Sequence, residues 1–264
     1  EPVTEPATVE EDLEVEGTGE SYRIEDTLLG VDNENDLSIE DGGSVTLEAA
    51  GGQAGFEFDE LDVESGELVL DTAEGDIDLF IDGDVSFGGE SDSPANLTVV
   101  GDGSVRLYAR DDVSFERDVN VDVGPGVELQ MFHDDDDGDI TIGGEGDDDD
   151  QDDSGVSVTT GPNEPAEAFW LFSNSEEMEI DGSDDPVDIT GTLYAPNTEV
   201  DDAEGSITIR GSIVVDSFDD LEDADLTIKY DEALATAEVF GEVERVPTIT
   251  YLHVSTQTVR IESD

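Results

Sequence analysis

Cysteine is absent from this 264-residue chain, and positive charge nearly so: eight Lys and Arg stand against 75 Asp and Glu, for a formal net charge of -67. Without cysteine there is no disulfide framework, no thiolate metal site and no cysteine nucleophile, so redox compartment leaves no trace in the sequence. The lack of cations excludes nucleic acid and anionic membrane surfaces as partners, because nothing is available to neutralise their phosphates. Long apolar runs are missing too. No stretch approaches the roughly 18 residues that span a bilayer, and no signal peptide stands at the start.

What is there is acid, spread along the whole length. At ordinary ionic strength the screening length is about 8 Å and neighbouring carboxylates repel; near 1 M salt it falls to about 3 Å and the repulsion nearly vanishes. Seven of the eight basic residues are arginine, and Lys229 is the single lysine. Short carboxylates hold water where salt competes for it, which long lysine stems do not. The composition therefore reads as that of an extreme halophile. Intrinsic disorder is the usual consequence of high net charge, but a 35% hydrophobic content arranged in alternation argues for a core.

That alternation runs in short segments from Tyr22 onward, each introduced by glycine, and it predicts strands. Gly43-Ser44-Val45-Thr46-Leu47 returns as Gly103-Ser104-Val105-Arg106-Leu107, and related segments begin at Gly66, Gly75, Gly83, Gly138 and Gly205. Gly43 to Gly103 reads as three periods of about 20 residues. Ile189-Thr190-Gly191-Thr192-Leu193 aligns with Ile209-Arg210-Gly211-Ser212-Ile213 at the same offset. The pattern predicts an all-β fold, a right-handed parallel β-helix, in which Val45, Leu47, Val105, Leu107, Leu193 and Ile213 pile into inward ladders while outward positions carry acid. A β-sandwich with turns every 8 to 12 residues is the alternative.

Along the chain, residues 1–20 read as an acidic Pro/Thr leader or linker. Residues 21–234 are the expected solenoid, with an acidic insertion near 144–165. Residues 235–264 read as C-terminal capping strands, with a short helix expected over Asp231 to Ala237.

Two aspartate clusters suit a hard cation such as calcium, which takes six to eight oxygens. One is Asp134, Asp135, Asp136 and Asp137 with Asp139; the other is Asp147, Asp148, Asp149 and Asp150. Their spacing departs from the calcium loop D-x-[DN]-x-[DN]-G, since His133 falls at the first ligand position. No other cofactor is indicated. Paired carboxylates of the kind glycosidases use carry no information in a chain this acidic. Arg106, Arg110 and Arg117 are the one basic cluster, and ion pairs with the adjacent Asp111, Asp112, Glu116 and Asp118 are their expected role. His133 and His253 read as structural, and no H-E-x-x-H, G-x-S-x-G or phosphate-loop motif occurs. An enzyme is not expected.

Phe169-Trp170-Leu171-Phe172 is apolar on both faces of a strand. Burial against the solenoid wall is one reading; Trp170 and Phe172 as an interface with another subunit is the other. Asn96-Leu97-Thr98 is a glycosylation sequon after a Ser/Asp/Pro turn, making Asn96 a candidate acceptor at a cell surface.

Between Phe169 and Leu234 the order of elements is FWLF, then ITGTLYAPN, then GSIVV, then KYDEAL. This region resembles a domain of pilus-assembly-like and uncharacterised surface proteins. Thr250-Tyr251-Leu252-His253-Val254 is similar to the ending of haloarchaeal pilin-like proteins. The resemblance implies an extracellular, non-enzymatic structural or adhesive component of the cell surface, with like subunits or other surface proteins as partners. Membrane contact would run only through an anchor, since no hydrophobic pilin helix precedes Glu1. A carbohydrate-binding or polysaccharide-cleaving β-helix and a bactofilin-like cytoskeletal scaffold are the alternatives.

Overall fold

The structure is a computed structural model, which describes residues 3–6, 13–16, 21–26, 36–89, 93–135, 138–144, 155–161, 166–221 and 224–235. Three strands come first: β1 (Val3–Pro6), β2 (Leu13–Glu16) and β3 (Ser21–Asp26). One full coil follows, β4 (Leu37–Glu40), β5 (Gly43–Ala49) and β6 (Ala54–Phe58). The next is β7 (Leu61–Val63), β8 (Gly66–Thr72) and β9 (Ile77–Ile81). Then come β10 (Val85–Phe87), β11 (Ala95–Gly101) and β12 (Ser104–Ala109). β13 (Val113–Phe115), β14 (Val119–Val123) and β15 (Glu128–His133) repeat the arrangement. So do β16 (Ile140–Gly143), β17 (Ser157–Thr160) and β18 (Phe169–Ser173). A continuous stretch, β19 (Glu177–Asp220), turns through the following coils, and β20 (Ala224–Lys229) lies on it.

Every pairing is parallel and joins a strand to its counterpart one coil away. The first face stacks β2, β4, β7, β10, β13, β16 and β19. The second stacks β1, β3, β5, β8, β11, β14, β17, β19 and β20. The third stacks β6, β9, β12, β15, β18 and β19. This is a three-faced parallel β-helix. A sandwich needs facing antiparallel sheets, and the described strands make none.

Alternation turns each rung into one inward and one outward set. Leu37, Leu61, Val85, Val113, Ile140 and Met178 form one inward ladder. Phe56, Leu79, Leu107, Met131, Leu171 and Leu193 form another, and all are buried. Because a coil has no apolar layer but its own centre, these ladders and those of the second face, such as Val45, Leu68, Leu97, Val121 and Val158, make up the core. The expected inward residues Val45, Leu47, Val105, Leu107 and Leu193 are fully buried, and Ile213 packs against the core from its edge.

The alignment at an offset of 20 holds: Ser212 Oγ donates to Thr192 Oγ1 at 3.4 Å, one coil apart. The 60-residue period does not. Gly43 opens a strand of the second face and pairs with Gly66, whereas the segment after Gly103 belongs to the third face, Val105 lying beside Ile77. Glycine-led strands of similar length occur on each face of a coil, so look-alike segments repeat from face to face as well as from coil to coil. Coil length also varies, from 19 residues between Gly205 and Ala224 to 40 between Leu129 and Phe169, because loops of different size leave the corners.

Three boundaries change as well. The stretch expected as a leader contributes β1 and β2, with Val15 fully buried. The acidic insertion is interrupted by β17, a regular rung of the second face. After β20, residues Glu232–Ala235 form a 3-10 turn in place of the start of the expected helix, and residues 236–264, with the expected capping strands and His253, lie outside the described residues.

Candidate functional site

The outward side chains of the third face fall into three columns, because the register is strict from β9 to β19. The middle column is aromatic: Phe80, Tyr108, Phe132, Phe172 and Tyr194 occupy equivalent positions on successive coils. Neighbouring parallel strands sit about 4.8 Å apart, close to the spacing of offset-stacked rings. Phe80 and Tyr108 stack at 4.9 Å, Tyr108 and Phe132 at 5.0 Å, and Phe132 and Phe172 at 5.0 Å, all within 15° of parallel. Tyr194 breaks the stack, standing 6.1 Å from Phe172 at 61°.

The first column holds Asp78, Arg106, Gln130, Trp170 and Thr192. Arg106 Nε lies 2.6 Å from Asp78 Oδ1, an ion pair rather than a well-aligned hydrogen bond, and Gln53 donates to the other Asp78 oxygen. Arg110 pairs with Asp82 in the same way on the far side of the aromatic column. Both arginines therefore reach the acid one coil below, not the sequence-adjacent acids expected for them. The partner on the next rung is a strand spacing away, whereas Asp111 and Asp112 lie beyond the corner. Arg117 sits at a corner between β13 and β14, away from this face.

Where Tyr194 turns aside, the face opens into a groove of about 350 Å³. Tyr108, Phe132, Phe172 and Tyr194 line it with Pro196, and Asp134 and Asn174 form a polar rim. Asn174 Nδ2 donates to Asp134 Oδ1 at 3.0 Å. His133 and Ser173 close the bottom, with His133 Nδ1 3.0 Å from Ser173 Oγ. Burial lowers the His133 pKa, although the Asp111 backbone carbonyl and Asp135, Asp112 and Asp134 pull the other way, so the imidazole is neutral at neutral pH. Burial raises the Tyr108 pKa, with Arg106 offsetting part of it, and its phenol stays a donor.

Trp170 and Phe172, singled out as interface residues, are buried within this chain: Trp170 is 7% and Phe172 9% exposed. The indole Nε1 donates to Glu167 O at 2.8 Å, in the 3-10 turn Ala166–Ala168, and the Trp170 and Phe172 rings lie parallel at 5.5 Å. Asn96 stands at the start of β11, with Nδ2 donating to Gly66 O and Pro94 O and Oδ1 accepting from Asn120. A glycan on that nitrogen would displace one of these bonds.

Of the expected cation ligands, Asp134 belongs to the groove rim. Asp139 contributes its backbone N–H, which donates to Asp112 Oδ1 at 2.9 Å. Asp135 lies at the same corner, facing His133. Asp136, Asp137 and Asp147 to Asp150 lie outside the described residues. The described group whose oxygens converge, all within 4.8 Å, is instead Glu199, Asp201 and Asp219. Glu199 and Asp201 stand two residues apart on β19, and Asp219 joins them from a later stretch of it, which no local motif reveals.

Fold and groove together define a parallel β-helix with one aromatic lateral face. The chain belongs to a family described as a domain of unknown function, DUF7305, whose model matches residues 20–150 and 146–237. No curated protein matches it, and no solved structure does.

Proposed function

We propose that this protein is a non-enzymatic, structural or adhesive component of the cell surface of an extreme halophile, pilin-like in role, whose rod-shaped core displays the aromatic face to its surroundings. The observation that carries the reading is a stack of acids at one corner. Backbone N–H groups of Leu37, Leu61, Val85 and Val113 donate to the carbonyls of Glu60, Asp84, Asp112 and Asp139, so these residues and Asp36 recur at the same corner of successive coils. Burial together with Asp36 and Asp84 raises the Glu60 pKa. Like charges held one strand spacing apart destabilise a fold unless counter-ions screen them, which supports a protein made for brine. A continuous apolar core suits load or display. The C-terminal likeness to pilus-assembly-like proteins supports a place outside the cell, and no helix among the described residues is long and apolar enough to cross a membrane.

The test is dilution. Circular dichroism from about 3 M to about 0.1 M potassium chloride is expected to show loss of the strand signal, with recovery when salt is restored. Retention of full structure at low salt overturns the reading.

A further inference from the structure

We propose that residues 245–261 of this chain dock on the open β20 end of the rod as its terminal coil. The sequence pattern expects strands in this stretch, and the structure supplies the surface that they would cover. The inference goes beyond the reading of a cell-surface protein and does not depend on it.

The surface is an inward ladder with no described strand above it. Ile207 and Ile209 of β19 are fully buried, with Leu226 and Ile228 of β20 beside them one coil on. Ile228 occupies the same inward position as Ile209, yet it is 47% exposed, and Leu226 is only partly buried. Ile213 and Val215, on the last part of β19, are partly buried too. Among the described strands β20 pairs with β19 alone, so its other edge offers a row of backbone groups to one more parallel strand.

The distribution of acid points to the occupant. Salt screens repulsion between carboxylates but does not remove the cost of taking one out of water, so stretches that pack should lack acid. Residues 205–215 hold no Asp or Glu, and Ile207 and Ile209 within them lie under β20. The longest acid-free run of the chain is 245–261, in which Arg245 and Arg260 are the only Lys or Arg. Ile249 and Tyr251 alternate there with Thr248 and Thr250, and Val259 and Ile261 flank Arg260, which gives two short strands with one apolar side each. Length and reach agree with this. The 29 residues from 236 to 264 fall within the range of coil lengths, 19 to 40. Residues 236–244 join the run to the 3-10 turn that ends at Ala235, a link of at most about 30 Å. So short a tether keeps the segment at millimolar local concentration, which favours the chain's own tail over that of a second copy.

Amide hydrogen exchange of the full chain in about 3 M potassium chloride, read by mass spectrometry, tests this. Peptides from 247–261 are expected to exchange at least about a hundredfold slower than an unstructured chain, and equally so at about 5 and about 200 µM protein. Ile249→Asp combined with Ile261→Asp is expected to bring them to the unstructured rate and to speed exchange in β20 by about threefold or more, with β8 and β11 unchanged. Ile228→Asp, on the receiving side, is expected to release the tail as well. Circular dichroism of each variant confirms that the coils remain folded. The added coil is itself terminal, so β20 stays less protected than β8 even in the parent chain. Unstructured rates in the parent's tail, a β20 rate indifferent to release of the tail, or tail protection indifferent to Ile228→Asp overturns the proposal. So does protection that grows with protein concentration, the mark of a second copy in place of the chain's own tail. A chain that stays folded at low salt loses the earlier reading and leaves this one standing.

Discussion

Asp62 points outward from β7 between Ser38 on the coil before and Ser86 on the coil after. Burial is the main reason its pKa rises from 3.8 to about 6, with Glu60, Glu64, Glu40 and Glu116 adding to it. The folded chain thus keeps this proton to higher pH than the unfolded chain. Stability from this group is full below the unfolded value and falls as pH rises through about 6. His133 works in the opposite sense: its pKa is lowered on folding, so its contribution is lost as pH falls through the unfolded value of 6.5. Asp62→Ser continues the serine column and is expected to raise stability at pH 7 by about 1 kcal/mol, a figure reduced for the half-exposed site. The gain should be larger at the lowest salt that still permits folding, because the four glutamates are screened and the burial cost is not. Thermal denaturation at fixed salt checks this. A variant that melts no higher than the parent at pH 7, or keeps the parent's slope between about pH 4 and 6, contradicts it.

Within an element, backbone geometry sets which glycines matter. Gly66 opens β8 with φ of +127°, and a Cβ there would sit 2.4 Å from the Gly43 carbonyl oxygen on the coil below. Gly126, in the corner before β15, has φ of +80° and nothing within 4 Å of the same imagined atom. Gly66→Ala is expected to destabilise by roughly 2 to 4 kcal/mol, because conformational strain adds to a clash with backbone that cannot yield. Gly126→Ala meets the strain alone and is expected to lose about 1 kcal/mol. Denaturant titration of the two variants decides, and equal losses would refute the stacking contact. The elements themselves were legible in the sequence because Val45, Leu47, Leu68 and Leu70 alternate with polar residues, and alternation is a local property. The offset between Ile189 and Ile209 was legible because no loop intervenes. The aromatic column was not. Phe80, Tyr108, Phe132, Phe172 and Tyr194 are separated by 28, 24, 40 and 22 residues, since each coil carries a corner loop of its own length. Trp170 and Phe172 stood out for their own hydrophobicity, but the partners that bury them sit on other coils.

At the scale of the whole molecule, each coil touches only the coils above and below it, so stability is a chain of nearest-neighbour terms. Interior coils have two such interfaces: β11 pairs with β8 on one side and β14 on the other, and Leu97 and Val99 are fully buried. Among the described strands β20 pairs with β19 alone, Ile228 is 47% exposed, and Leu226 is only partly buried. Among the described strands β1 likewise pairs with β3 alone, so opening of the described coils should start at their ends, β20 among them, and move inward, each step uncovering one more ladder. Amide hydrogen exchange in molar salt is expected to show the slowest exchange in β8, β11 and β14, and exchange at least about tenfold faster in β20. Lower salt should widen that difference before the rod unfolds, because carboxylate repulsion acts on every coil while the terminal one has a single interface to resist it. Uniform protection from β8 to β20 would mean instead that the described coils open as one cooperative unit, with no weak end from which a salt-dependent transition could spread.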